Sequence, residues 1–187
     1  MHKFDIKKVA KLDSPERIAM MPADSTLDKF KIEDDGDLLD LGCGVGYFSI
    51  PAAKLLKNHK VIGVDIMSEM IEIAKERAED ITNIEFRRGE EYSFPVEDNS
   101  VKYVFISNVI HEVEDRTKYF NEIKRVSEKE AYLCIIDWQK KETKMGPPLY
   151  DRVSEEEIKE LCSSIGFKFI DKINMTENHY GLKFKLV

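Results

Sequence analysis

No apolar run in this chain approaches the roughly twenty residues that a bilayer-crossing helix needs. Its opening stretch, MHKFDIKKVAKLDSPERIA, also lacks the apolar core of a secretory leader. We therefore expect a cytoplasmic protein without membrane insertion. Positive charge is short too: 29 Lys and Arg against 36 Asp and Glu leave a net charge of −7. That balance denies the broad basic face a nucleic acid requires, and WQKKETK is the one basic cluster. Cysteine is scarce. Cys43, Cys134 and Cys162 are far apart with no CxxC spacing, and there are only four histidines. Neither a disulfide framework nor a zinc cluster fits this pattern, and we expect no metal. Glycine is also sparse at nine residues, yet three of the nine fall within Gly42–Gly46.

What is present is an alternation of strand-like and helix-like runs. DLLDL, KVIGVD, IEFRR, VKYVFIS and AYLCIID are short apolar strands. Helical segments lie between most of them, at 47–57, 67–80 and 116–126. In the second of these, Met67, Met70, Ile71, Ala74 and Ala78 recur at spacings of three and four, one apolar stripe. SEEEIKELCSSIGF places Ser154 at a helix N-cap with Glu157 three residues on, and Gly166 at the C-terminal turn. KFIDKI and YGLKFKLV then follow as a hairpin around NMTENH. Strict β/α alternation implies a parallel α/β sheet covered on both faces, and the closing hairpin adds one antiparallel strand. At 187 residues we expect one domain over 1–187, with 1–30 as an N-terminal cap and 37–187 as the core.

The glycines carry the first chemical signal. In LLDLGCGVGYFSI the first strand ends at Leu41, so Gly42, Cys43, Gly44, Val45 and Gly46 lie at the carboxyl edge of the sheet. Ligands bind at that edge in open α/β sheets, and glycine lets them approach the backbone closely. The second strand ends in Asp65, about twenty residues on, where a carboxylate can accept from a ribose diol. A dinucleotide fingerprint would put its third glycine at 47 or 49, where the chain has Tyr47 and Ser49. Asp40, just before the loop, would repel a pyrophosphate but favours an ammonium or sulfonium. The residues therefore point to S-adenosylmethionine, with a nicotinamide-dependent oxidoreductase as the weaker alternative.

LLDLGCGVGYFSI resembles the first motif of the class I S-adenosylmethionine-dependent methyltransferases, and VIGVDIMSEMIEIAKE resembles the second. RRGEEYSFPVEDNSVKYVFISNVIHEVED is similar to the third and fourth motifs and YLCIIDW to the strand after them, with the type 11, ubiquinone/menaquinone-biosynthesis-like group the nearest likeness. The resemblance implies a three-layer Rossmann-like fold with a seven-stranded, mostly parallel sheet and one antiparallel strand. It implies that Asp40, Gly42, Cys43, Gly44 and Gly46 hold the methionine part of the cofactor. Asp65 would take the ribose, Ile66 and Met67 the adenine face, Gly89, Glu90 and Glu91 the adenine amino group, and Asn108 the methionine end. A non-catalytic S-adenosylmethionine-binding protein is the alternative.

Methyl transfer needs a base only where the acceptor must lose a proton. His111, just past the fourth strand, is the candidate, with a packing histidine as the plainer reading. Glu112 either faces solvent or orients His111, and Asp137 either borders the acceptor or serves a turn. SNVIH lacks the Asn-Pro-Pro-Tyr pattern of adenine and glutamine methylation, and three dispersed cysteines disfavour arsenite. The acceptor is expected to be a small molecule, without nucleic acid, in a monomer or homodimer. Its contacts would come from Phe4, Met20 and Met21, and from Trp138, Met145, Leu149 and Tyr150 after the fifth strand. Trp138 and Tyr150 are the named candidates. Lys140, Lys141, Lys144 and Arg152 either attract an anionic acceptor or form a solvated face.

Overall fold

The computed structural model describes residues 14–187. Phe4, one of the residues expected to close over the site, lies outside them. The described elements run α1 (Pro15–Met20), α2 (Ala23–Lys29), β1 (Leu38–Leu41), α3 (Ser49–Leu55), β2 (Val61–Asp65), α4 (Ser68–Arg77), β3 (Ile84–Arg88) and β4 (Val101–Ser107). A 3-10 turn at Ile110–Glu112 leads to α5 (Arg116–Val126), β5 (Ser127–Trp138), α6 (Glu155–Ile165), β6 (Phe167–Ile173) and β7 (His179–Leu186). The seven strands form one sheet in the order β3-β2-β1-β4-β5-β7-β6. β1 to β5 are mutually parallel, and β7 runs antiparallel to both neighbours. This is the α/β Rossmann-like sheet the sequence led us to expect.

Alternation along the strands sorts the core into two layers. Leu39, Leu41, Val104, Ile106, Leu133 and Ile135 pack with Phe120 and Ile123 of α5 and Ile158 and Cys162 of α6. Their neighbours Leu38, Tyr103, Phe105, Cys134 and Ile136 face Leu27 of α2 and Phe48, Ala52 and Ala53 around α3. Ile71 and Ala74 of α4 form a third cluster with Cys43 and Phe86. The apolar stripe is real, but Met67 stands just outside the helix as its N-cap and turns toward the ligand edge.

Two expected helices are shorter than their sequence pattern. The one expected over 47–57 starts only at Ser49, because residues 44–48 are still turning away from the glycine loop. The one expected over 67–80 stops at Arg77. β5 is longer than expected, beginning at Ser127 directly after α5, with Glu130 held at φ 63. The strand order reverses between β1 and β4, on either side of which the crossovers leave in opposite directions. That reversal opens a crevice beyond the carboxyl ends of the strands.

Helix α6 carries the capping box read from the sequence. Ser154 Oγ accepts from Glu157 N, Glu157 Oε2 accepts from Ser154 N, and Gly166 closes the helix at φ 108. Ser154→Ala removes one side of that box and should cost about 0.5–2 kcal/mol, read as a lower urea midpoint at unchanged m-value.

Candidate active site

The crevice is a cavity of about 710 Å³, within the range typical of small-molecule sites. Its floor is the glycine loop. Gly42, Gly44 and Gly46 all have positive φ, at 71, 54 and 83. A Cβ on Gly42 would stand 2.3 Å from Val109 Cγ2, so neither the backbone angle nor the space allows a side chain there. Gly42 N and Cys43 N both donate to Val64 O, at 2.8 and 3.1 Å, which anchors the loop to β2.

Asp65 completes the anchoring. Its Oδ2 accepts from Gly44 N and its Oδ1 from Met67 N, each at 2.9 Å. Burial pushes this carboxyl up from its ordinary value, opposed by the N–H groups of Met67, Gly44 and Ile66. Each carboxylate oxygen retains a lone pair, so the group can still receive a pair of hydroxyls. Asp40 is almost wholly buried and accepts from the Ser49 hydroxyl at 2.5 Å. The Cys43 thiol is pushed up well beyond its usual range, by burial and then by the charges of Asp40 and Asp65. It stays protonated and is no nucleophile.

Five carboxylates, of Asp40, Asp65, Glu90, Glu91 and Glu112, line the cavity, and no lysine or arginine does so among the described residues. Ile66, Met67, Cys43 and Asn108 line it as well. Gly46 and Gly89 lie behind it instead. A Cβ on Gly89 would fall 2.6 Å from Val64 Cγ1, so that glycine permits close packing of β3 on β2. At the end of β4, Ser107 Oγ and Asn108 Oδ1 are buried with no hydrogen-bond partner among the described residues. Both residues border the cavity. Two polar atoms with acceptor capacity unused among the described residues thus stand at one wall of the cavity.

On the far side His111 lines the cavity with its side chain 9% exposed, and its Nδ1 is 2.8 Å from Asp137 Oδ1. Asp137 is buried and also accepts from Trp138 N and His111 N. A carboxylate only accepts, so Nδ1 carries the proton and Nε2 is the basic nitrogen. Glu112 Oε1 is 3.8 Å from that Nε2. Burial pulls the imidazole pKa down, but the Asp137 hydrogen bond and the charges of Asp137, Glu112 and Asp151 outweigh it, leaving a net upward shift.

Trp138 lines the same cavity, while Tyr150 does not: it is 84% exposed, on the outer side of its loop. Arg152 explains the loop's course. Its buried guanidinium donates to the carbonyls of Pro147, Gln139, Lys141 and Met145 and to Thr143 Oγ1. Lys140 pairs with Glu157 and is exposed, and Lys141 and Lys144 are exposed as well. None of these four cations lines the cavity. Met20 and Met21 do, and Tyr47 donates to Met21 O at 2.8 Å, which draws the N-terminal segment over the site.

Among the lining residues that sequence reasoning missed, three carry polar groups into the heart of the cavity wall. His179 starts β7, its Nδ1 2.8 Å from Thr176 Oγ1 and its ring 4.1 Å from that of Trp138. Tyr119 of α5 is buried, and burial with the charges of Asp65, Asp40 and Glu91 pushes its hydroxyl strongly up. Ser107 is the third. Asp137 was weighed only as a border or turn residue, and the structure makes it the partner of His111. Among the described residues no cluster of His, Cys, Asp and Glu could hold a metal, and no helix is long and apolar enough to cross a membrane.

Comparison with known proteins agrees with this geometry. Residues 32–181 match the family described as a methyltransferase domain. A solved SAM-dependent methyltransferase from Aquifex aeolicus is 31% identical, with a TM-score of 0.92 over 99% of this chain and 100% of that one. A ubiquinone/menaquinone biosynthesis C-methyltransferase of Campylobacter jejuni is 30% identical over 116 residues, covering 59% of this chain and 48% of that protein. A demethylmenaquinone methyltransferase of Staphylococcus saprophyticus is 25% identical over 143 residues, 76% of this chain and 56% of that one. The chain thus spans about half the length of these two curated relatives.

The raised pKa of His111 has a measurable consequence for stability. A histidine held above its unfolded value of 6.5 contributes stability that is fully present below 6.5 and lost as pH rises through the folded value. The urea midpoint of the wild type should therefore exceed that of His111→Gln at pH below 6.5, with the gap closing at higher pH. A gap that widens with pH would mean that burial prevails over Asp137.

Proposed function

We propose, because this chain belongs to the methyltransferase-domain family, that it binds S-adenosylmethionine and transfers the methyl group to a small organic acceptor. The observation that carries the reading is the cavity itself, in which a glycine loop pinned to Asp65 faces five carboxylates with no lysine or arginine among the described residues. Two unit charges about 4 Å apart interact by about 4 kcal/mol at an effective dielectric of 20. Such an accumulation of negative charge is relieved by a cationic ligand and worsened by a phosphate. Asp65 has free lone pairs for a ribose diol, Asn108 Oδ1 and Ser107 Oγ await polar atoms, and the loop offers backbone without side chains.

When bound, the cofactor supplies a methyl group on a positively charged sulfur. This chain's residues would do the rest. Asp40, the Gly42–Gly46 loop and Asn108 hold the amino-acid end, Asp65 the ribose, and Ile66, Met67, Glu90 and Glu91 the adenine. Gly89 contributes by packing rather than by contact. His111, its Nδ1 proton on Asp137, receives at Nε2 the proton an acceptor loses, and Asp137 holds the ring in that tautomer. Trp138 belongs to the acceptor side. Tyr150, exposed on its loop, has no part in this reading. We read residues 37–187 as the cofactor-binding core and residues 1–30 as a cap, since Met20 and Met21 reach the cavity. A cytoplasmic protein that takes no nucleic acid, as monomer or homodimer, completes the reading.

Calorimetry with S-adenosylhomocysteine tests the cofactor. Wild-type protein should take it up, and Asp65→Ala should weaken uptake by about 1–3 kcal/mol. Uptake of NAD(P) instead would reassign the cavity. Labelled S-adenosylmethionine with a metabolite extract tests the chemistry. His111→Ala should lower turnover by about 10²–10⁴-fold while leaving S-adenosylhomocysteine affinity near wild type. Because the base must be neutral, the rate should climb with pH through a value above 6.5. Asp137→Asn should slow turnover and move that limb to lower pH. A limb that stays in place in Asp137→Asn would remove Asp137 from the proton path.

A further inference from the structure

The acceptor side of the cavity differs in kind from the cofactor side. β5 ends in Asp137 and Trp138, and alternation sends these two side chains to opposite faces. Asp137 takes His111. Trp138 pairs in register with His179 of β7, and the two rings lie 4.1 Å apart at 42°. Against the same indole stands Gly146, at φ 97, where an added Cβ would meet Trp138 Cε3 at 2.7 Å. Met145, Met20 and Met21 extend this apolar surface into the cavity.

The one cation built into this wall is turned away from the cavity's occupant. The Arg152 guanidinium donates to five oxygens of the loop, at 2.6 to 3.1 Å, and lies 5.4 Å from the Trp138 ring. Five N–H donors are all that an arginine has, so none remains for an incoming anion. Among the described residues no lysine or arginine reaches the cavity, and of its carboxylates Glu112 lies on the His111 side.

We propose that Trp138, Met145, Gly146 and His179, held from behind by Arg152, form an acceptor wall that admits uncharged, apolar molecules and rejects anionic ones. The wall sets charge selectivity: a carboxylate or phosphate would approach Glu112 and find every Arg152 donor already taken, whereas an uncharged ring loses nothing but water. This selectivity rests on the cofactor reading above, because the wall is assigned to the acceptor only if the glycine-loop side holds the nucleoside.

Naphthol and naphthoate share one ring system and differ in the charge of the substituent. With wild-type protein saturated by S-adenosylhomocysteine, calorimetric titration should show naphthol binding at least about tenfold tighter than naphthoate. Met145→Lys changes a half-exposed side chain on the wall, away from the groups that hold the cofactor. It should leave S-adenosylhomocysteine affinity unchanged and narrow the gap by strengthening naphthoate. Naphthoate binding as tightly as naphthol to the wild type would overturn the proposal while leaving the cofactor reading intact. So would a gap unmoved by Met145→Lys. Failure of S-adenosylhomocysteine to bind would overturn both.

Discussion

A carboxylate at the end of the second strand holds the first strand's loop in shape. Asp65 reaches Gly44 N on one side and Met67 N on the other, while Val64 O just before it receives Gly42 N and Cys43 N. A loop with three left-handed glycines has more conformational freedom to lose than any other five residues of the chain. Hydrogen bonds to an ionised group contribute about 1.5–3 kcal/mol each, enough to offset much of that loss. The same bonds oppose the upward push that burial exerts on this carboxyl. One residue therefore fixes the floor of the cavity and retains acceptor capacity toward whatever the cavity holds.

The rest of the cavity's character follows from where that floor lies. The strand order turns at β1 and β4, so the loops after them diverge and leave a crevice that no helix fills. Asp40, Asp65, Glu90 and Glu91 come from three adjacent strand ends and the turns after them, which is why negative charge accumulates there without long-range design. Tyr119, the Cys43 thiol and the orphaned Ser107 and Asn108 atoms then sit in that field. Negative charge in this part of the cavity is thus met by no lysine or arginine among the described residues.

How much of this was legible in the sequence depended on distance along the chain. IEFRR, VKYVFIS and the 116–126 helix match the observed elements residue for residue, and the Ser154 box and Gly166 turn are local patterns with local causes. Asp65 was legible because a strand, a crossover helix and a second strand fix its distance from the glycines. The Asp137–His111 pair was not, since 26 residues and a strand pairing separate its members and no spacing rule joins them. His179 carries no local signal at all, and Tyr119 is indistinguishable from the core stripe of its helix. Tyr150 misled for the converse reason: an aromatic in a loop near the site reads as a contact until Arg152 is seen to gather the loop's carbonyls inward and leave Tyr150 outside.

The antiparallel strand shapes the Trp138 side of the cavity. β1 to β5 present their carboxyl ends to the ligand edge, and each is followed by a connection that crosses back along the sheet. β7 presents its beginning instead. The short turn from β6 thus delivers His179 beside the end of β5, where Trp138 is its register partner. Thr176, in the same turn, fixes the imidazole from the side. A sixth parallel strand here would have placed a crossover connection over the wall. The hairpin leaves this wall to be bounded by the Arg152-bound loop and by Met20 and Met21. The glycine-loop side of the cavity thus rests on parallel strands alone, whereas the Trp138 side joins the end of parallel β5 to the start of antiparallel β7.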